Sequence, residues 1–384
     1  MRLHSVASLS DTGRLRQHNE DNLLLMEELG LFAVADGMGG LEKGEVASAT
    51  AIATLEAAKG PIEALLQNAE SEPGALGRVQ LAQALDMLPH VANDRIQAVT
   101  GGSQSGTTLV AGLMLEGHLL LTHVGDSRAY LYRDGSLRCL TEDQTVAAAQ
   151  FRAGLITMEE HDTSPYQHML YQALGTAGQL DPDLLCEPLA GGDVLLLCSD
   201  GLTGPVSDME IENLLTETEN LDLVAETLIQ KANDAGGPDN ITVVLARTAD
   251  GEPPADVESR RQSLRDCPIL ETLNDRDLAM LSLYLDEYVY GKGHVFESEL
   301  GLHVIISGTA RLDDGRELGP GVVFGLTPFL DGGNAIRTVT ADSDCTIALL
   351  GRGCYSMLKE RRPSLAVSLL HGLLAEVARR NREA

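Results

Sequence analysis

The chain contains no tryptophan, and aromatic residues make up only 3% of it. Its cores must therefore be filled mainly by Leu, Val, Ile and Ala. Positive charge is scarce as well: 28 Lys and Arg stand against 57 Asp and Glu, a net charge of -29. A nucleic-acid binder needs cations for the phosphates, and an anionic membrane surface needs them too, so the charge balance argues against both partners. Most of the acid reads as solvated surface. No Cys-x-x-Cys pair occurs among Cys139, Cys186, Cys198, Cys267, Cys345 and Cys354. That spacing fits reduced thiols of a cytosolic protein rather than a disulfide frame or a zinc site. No apolar run has the length of a membrane span, and MRLHSVASLSDTG lacks the apolar stretch of a secretory signal. These absences predict a cytoplasmic protein.

What is present is a globular composition, 43% hydrophobic over 384 residues, enough for two cores. Residues 1–247 alternate strand-like and helical stretches. TADGEPPADVESRRQ, residues 248–262, is polar and carries a Pro pair, as a linker does. Residues 263–384 form a second unit. In the first, Asn22–Glu27, Leu31–Asp36, Leu109–Leu115, His118–Val124, Ala129–Arg133, Val194–Ser199 and Ile241–Arg247 read as strands. Glu45–Ala58 and Leu221–Asp234 read as helices. Strands paired across short turns predict antiparallel sheets with helices packed outside.

The functional signal is a set of aspartates beside apolar strands. Asp36 follows LFAVA, Asp126 follows LLLTHVG, Asp200 follows VLLLCS, and Asp239 stands one residue before ITVVL. An ionised carboxylate beside a core strand is costly unless paired or bound to a cation. Asp36, Asp126 and Asp200 each have a Gly neighbour, which lets the backbone approach a ligand. At any one position, ordinary turn chemistry is the better account. Four such positions in one chain, with no matching set of bases, point to a hard divalent cation.

SDTGRLRQHNEDN, VADGMGG, SGTTLV, HVGDSRAYLYRDG, LTEDQT, ALG, LLLCSDGL and GGPDNITVV occur in this order over residues 1–247. The set resembles the metal-dependent protein phosphatase family, type 2C. The resemblance implies an α+β fold: an antiparallel β-sandwich flanked by helices, with two Mn2+ or Mg2+ ions at one end. By the same resemblance Asp36 bridges the two ions and the Gly37 carbonyl binds one. Asp200 and Asp239 bind the other, and Glu20 acts mainly through bound water. Asp126 with Asp200 holds a third, weaker ion. Asn240 orients the loop, and Arg16 grips the phosphate. Two such ions activate a water and clamp phosphate oxygens, while a guanidinium supplies a two-pronged donor to the dianion.

Some positions depart from the family pattern. Met38 stands where eukaryotic members often carry a His, as in bacterial relatives. His18, His123 and His161 remain as proton donors, and each reads better as a structural or solvent-facing histidine. Gln144 replaces a frequent His and should touch no metal. Val146–Leu174 resembles the flap beside the family's active site, a segment that either selects substrates or is a passive excursion.

In the second unit, VIISGTARL, LGPGVVFG and RTVTADSDCTIALLGR resemble the cyclic nucleotide-binding domain family, a small β-roll with flanking helices. The ligand cassette departs from it. Leu326 replaces the ribose-binding Glu, Ala335 aligns with the phosphate-binding Arg, and Arg337 falls two residues late. Loss of that Arg leaves a buried phosphate uncompensated, which speaks against cyclic nucleotide binding. The helix Arg362–Ala384, apolar at Ala366, Leu369, Leu370, Leu373, Leu374 and Val377, either dimerises or packs on the roll.

The sequence thus predicts a metal-dependent phosphatase of phosphoserine and phosphothreonine in proteins. It carries a C-terminal regulatory or dimerisation module. The competing reading is a catalytically inactive scaffold or phosphopeptide-binding protein of the same fold.

Overall fold

The structure is a computed structural model that describes residues 3–39, 43–71, 74–101, 105–115, 117–249, 262–296, 301–331 and 338–383. The chain divides into two compact units. One comprises Met1–Ala64 and Ala82–Gly251, the other Leu65–Leu81 and Glu252–Ala384.

In the first unit two antiparallel sheets face each other. One runs β1 (Leu3–Asp11), β11 (Ile241–Thr248), β10 (Val194–Cys198), β7 (Arg128–Arg133), β8 (Ser136–Cys139). The other runs β2 (Asp21–Met26), β3 (Leu31–Met38), β5 (Leu109–Leu115), β6 (His118–Val124), β9 (Asp183–Pro188), with β4 (Gly106–Thr107) pairing β3. Alternation along each strand decides which side chains meet. Phe32, Val34, Val110, Leu119 and Leu121 of the second sheet pack against Ala129, Leu131, Leu195, Leu197, Val244 and Ala246 of the first. The odd-even partners Val194, Leu196, Cys198, Val243 and Leu245 point the other way. They pack with Ile211 and Leu215 of helix α7 (Asp208–Glu217) and Val224 and Leu228 of α8 (Leu221–Asp234). Helix α1 (Lys43–Ala57) covers β2 and β3. This is the helix-flanked antiparallel sandwich expected from the sequence.

Both helices on the first sheet begin where the sequence supplies a cap. Ser207 accepts from the Glu210 amide in a capping box, and Asn220 accepts from the amides of Asp222 and Leu223.

The second unit contains two four-stranded antiparallel sheets. One is β12 (Asp286–Tyr290), β19 (Cys345–Gly351), β14 (Gly301–Ser307), β17 (Val323–Phe324). The other is β13 (Val295–Phe296), β18 (Val339–Ala341), β15 (Ala310–Leu312), β16 (Glu317–Leu318). Ile305, Phe324, Cys345 and Ile347 from the first meet Phe296, Ala310, Leu318, Val339 and Ala341 from the second. The helix Pro363–Glu383 buries Leu365, Ala366, Leu369 and Leu373, while Leu374 stays exposed. At Gly372 an added Cβ would lie 1.9 Å from the Ile269 carbonyl oxygen, so this helix lies directly on the Pro268–Leu270 turn.

Candidate metal centre and phosphate site

Antiparallel pairing brings the functional ends of the strands to one edge of the sandwich. Cys198, the last residue of β10, pairs with Val243 near the start of β11. Asp200 follows the first strand and Asp239 precedes the second. In the other sheet Asp21 opens β2 directly opposite Asp36 near the end of β3. Val124, which ends β6 just before Asp126, pairs with Leu109 at the start of β5.

Hydroxyls and amides fix these loops. The Asp36 amide donates to Thr108 Oγ1 at 2.9 Å, and Thr107 Oγ1 donates to the Asp36 carbonyl at 2.9 Å. Asn240 is buried and ties three segments together. Its Oδ1 accepts from the Glu20 amide at 2.8 Å, and its Nδ2 donates to the carbonyls of Thr12 and His18, both at 2.9 Å. Two glycines are required by close approach. A Cβ on Gly37 would come within 2.5 Å of the Glu20 carbonyl oxygen and 2.4 Å of that of Gly44. One on Gly201 would lie 1.9 Å from the Asn240 carbonyl oxygen. Any larger residue would push the Glu20 and Asp239 loops away from Asp36 and Asp200.

The carboxylates raise one another's proton affinity. Burial, and then Asp21, Asp200, Asp126 and Asp239 in turn, push Asp36 well above the usual range. Burial and then Asp200 push Asp126 up to about 7. Burial raises Asp239, against the opposing pull of its own loop amide and of Arg16, and burial raises Glu20. Arg16 Nη2 donates to Asp239 Oδ2 at 2.7 Å on the exposed rim.

Asp21, which the sequence motifs do not single out, also lies in this centre. It is 6% exposed, and its Oδ2 accepts from Ser199 Oγ and Thr242 Oγ1, each at 2.7 Å. Its Oδ1 is buried with no hydrogen-bond partner. Burial pushes this carboxyl up to about 6, although the two hydroxyls pull it down. It too abuts an apolar strand, Asn22-Leu23-Leu24-Leu25, but has no glycine beside it. His168 also reaches the centre. Its Nδ1 is 3.7 Å from Asp200 Oδ2, and ligand atoms of Asp126, His168 and Asp200 all lie within 4.8 Å of one another. Of the three histidines weighed from the sequence, His123 is buried on β6 with Nδ1 3.6 Å from Asp183, and His161 pairs with Asp162. His18 lends its carbonyl to Asn240. Gln144 is buried; its Oε1 accepts from the Gly125 amide at 2.7 Å and its Nε2 donates to Asp183.

The donor set fits divalent cations. It is rich in oxygen, mutually repulsive without a counter-charge, and includes a buried carboxylate oxygen lacking a donor. The arrangement defines a hydrolase centre for hard cations and a phosphate dianion.

The chain belongs to the protein phosphatase 2C family, whose model matches residues 14–246. It is 38% identical over 239 residues to a serine/threonine phosphatase, stp, of Listeria welshimeri, spanning 62% of this chain and 92% of that protein. Among solved structures it is similar to the PPM Ser-Thr phosphatase MsPP of Mycobacterium smegmatis in complex with cacodylate. That match has 35% identity and a TM-score of 0.54, and covers 65% of this chain and 100% of the other. The catalytic domain of the serine threonine protein phosphatase PstP in complex with two manganese ions is 38% identical, with a TM-score of 0.54. It covers 64% of this chain and 98% of that one. The metal complement of this family is two Mn2+ or Mg2+ ions.

Proposed function

We propose that the first unit hydrolyses phosphoserine and phosphothreonine esters of proteins at a two-cation centre. The observation that carries this reading is the convergence of Asp21, Asp36, Asp126, Asp200 and Asp239 at one sandwich edge with Arg16 on its rim. Asp36 and the Gly37 carbonyl would hold the cations on the β3 side, with Asp36 between them. Asp200 and Asp239 would hold them on the β10–β11 side. Asp21 and Glu20 would orient water around them. When bound, the cations lower the pKa of a coordinated water and neutralise phosphate oxygens. Asn240 sets the Glu20 loop against the Asp239 loop, so both carboxylates arrive prepositioned. Arg16 is one donor short of a free fork, because Nη2 already rests on Asp239. Its remaining donors meet the phosphate at the rim.

Release of phosphate from phosphoserine, phosphothreonine and phosphotyrosine peptides, with Mn2+ and with excess chelator, tests this. Hydrolysis of the first two, abolished by chelator, is expected. A Mn2+-loaded protein that binds phosphopeptide without hydrolysing it would establish the scaffold reading instead. Arg16→Ala should raise KM about tenfold with a smaller fall in kcat, because a charge-assisted pair contributes a few kcal/mol at most. If neither constant moves, Arg16 serves only as an ion-pair partner of Asp239.

The reduced cysteines support a cytoplasmic setting. The second unit acts as a regulatory or dimerisation module with the layout of a cyclic nucleotide-binding domain. Two observations speak against its taking such a nucleotide. Leu326, at the ribose position, is buried and apolar. The His303 ring stacks on Phe324 at 4.7 Å, and a Cβ on Gly325 would come within 2.9 Å of His303 Nδ1, so the start of the cassette is already packed. Ala335 and Arg337 lie outside the described residues. Calorimetric titration of cyclic AMP and cyclic GMP into the full chain should show no binding in the micromolar range. A one-to-one isotherm lost in Arg337→Ala would restore the receptor reading.

A further inference from the structure

The strand end that carries Asp36 is held by a tie that starts outside the centre. The helix Ala75–Thr100, whose residues from Ala82 onward belong to the first unit, lies against the buried turn Ala173-Leu174-Gly175. Asn93 Oδ1 accepts from the Gly175 amide at 2.8 Å, and Gln97 Nε2 donates to the Thr176 carbonyl at 3.1 Å. Asn93 and Gln97 are one helical turn apart, on the face that also carries Ile96. Gly175 has φ +87°, and a Cβ there would lie 2.3 Å from Ile96 Cγ2. The turn is therefore seated on the helix by a side-chain bond and by a close backbone approach that requires glycine.

From this turn the connection to Asp36 runs through main-chain bonds and two threonine hydroxyls. Leu174 and Thr107 exchange both amide bonds, at 2.9 and 3.0 Å. Thr107 pairs with Gly37, and its Oγ1 donates to the Asp36 carbonyl at 2.9 Å. The Thr108 amide donates to the same carbonyl at 2.9 Å, and the Asp36 amide donates to Thr108 Oγ1. The main-chain amide and carbonyl of Asp36 thus depend on where residues 107 and 108 stand. A Cβ on Gly106 would lie 2.6 Å from the Leu174 carbonyl oxygen, so there is no slack between the two segments. Asp36 sits among like charges that repel it, and an anchor against that repulsion has to come from outside the cluster.

We propose that Asn93 is a positioning residue of the reaction: by holding the Gly175 amide it fixes the turn, and through Leu174 and Thr107 it sets the place of Asp36. The proposal rests on the metal-dependent phosphatase reading. It extends that reading to a helix residue whose bond is to main chain rather than to the centre. Without Asn93 the buried Gly175 amide loses its acceptor, and an unsatisfied buried donor draws the turn toward water. Leu174 then takes Thr107 with it. The change falls on Asp36 and on the cations it would hold. It does not fall on Arg16, which rests on the Asp239 loop. Metal affinity and kcat should therefore drop while KM for the phosphopeptide stays.

The test uses the full chain, Mn2+ calorimetry, hydrogen exchange and kinetics on a phosphothreonine peptide. Asn93→Ala should weaken the tight Mn2+ ions about tenfold and lower kcat about tenfold, with KM changed by less than about twofold. Amide exchange at Leu174 and Gly175 should quicken even in chelator, where no ion is bound. Asn93→Asp keeps the acceptor oxygen and should restore Mn2+ affinity and kcat. Asn93→Leu keeps the volume without the acceptor and should not. Gly175→Ala breaks the same seat from the side of the turn, and serves as the test if Asn93→Ala does not fold. The double variant should be no worse than the weaker single one, since both break one connection. Leu85→Val thins the buried packing of the same helix two turns earlier. It should lower the melting temperature and leave Mn2+ affinity unchanged. Wild-type Mn2+ affinity and kcat in Asn93→Ala and Gly175→Ala, no restoration in Asn93→Asp, or an equal loss in Leu85→Val would each overturn the proposal and leave the phosphatase reading standing. Failure of the wild-type protein to bind any tight Mn2+ would overturn both.

Discussion

Asp36→Asn should lower turnover by about a thousandfold or more, a loss on the order of 4 kcal/mol of transition-state stabilisation. Asp36 feels the charges of Asp21, Asp126, Asp200 and Asp239 from one strand end, so the variant removes the charge that the proposed reading sets between the two cations. Its effect on stability should have opposite signs with and without metal. In chelator, deleting one charge from a cluster of like charges removes repulsion, and the variant should melt higher than wild type. In excess Mn2+ the wild type gains stability by mass action from ions that bind the folded state. The variant forfeits much of that gain, so the order should reverse. Phosphopeptide kinetics together with thermal melts in both conditions check the two halves. Wild-type turnover, or an unchanged melting temperature in chelator, would show that Asp36 does not sit at the focus of the cluster.

The strands around this centre were legible because they are short, nearly continuous apolar runs, buried on both faces. Leu31–Asp36, Val194–Ser199 and Ile241–Arg247 were expected, and strands occupy Leu31–Met38, Val194–Cys198 and Ile241–Thr248. β1 was less visible. LHSVASLSD mixes small polar residues into the alternation, and most of the strand is only half-buried. Asp21 sits in the polar run Asn19-Glu20-Asp21-Asn22, which gives no local sign of burial. Its importance comes from pairing register: it lies opposite Asp36 and under the hydroxyls of Ser199 and Thr242, residues remote in sequence. His168 gave no local signal, since a histidine in a polar loop is ordinary and only the backbone pairing at Thr145 and Leu170 brings it in. A boundary read along the chain at 247 is likewise linear. Leu65–Leu81 groups with the C-terminal unit, where the Ala75 amide donates to Asp286 Oδ1 at 2.6 Å. No shift in composition marks that segment.

Asp126→Ala should lower turnover about a hundredfold, on the order of 3 kcal/mol, while calorimetry still finds both tight ions. Asp126 hangs from Gly125, whose φ of +105° lets the chain turn off β6, and it is 8% exposed. Asp200 is the charge that most raises its proton affinity after burial, and ligand oxygens of the two lie within 4.8 Å of each other. It therefore sits on the Asp200 side of the centre. By the proposed reading, Asp36, the Gly37 carbonyl and Asp239 would keep their ions when a cation is lost from that side. What would disappear is the positive charge that Asp126 and Asp200 would hold at that side. Loss of both tight ions in Asp126→Ala would place this carboxylate in the core pair. Retention of all three with unaltered turnover would make it a buried structural acid. Asp126→Asn separates charge from shape: it keeps the side-chain volume at the end of β6, so a fall in turnover equal to that of the alanine variant assigns the effect to the carboxylate charge.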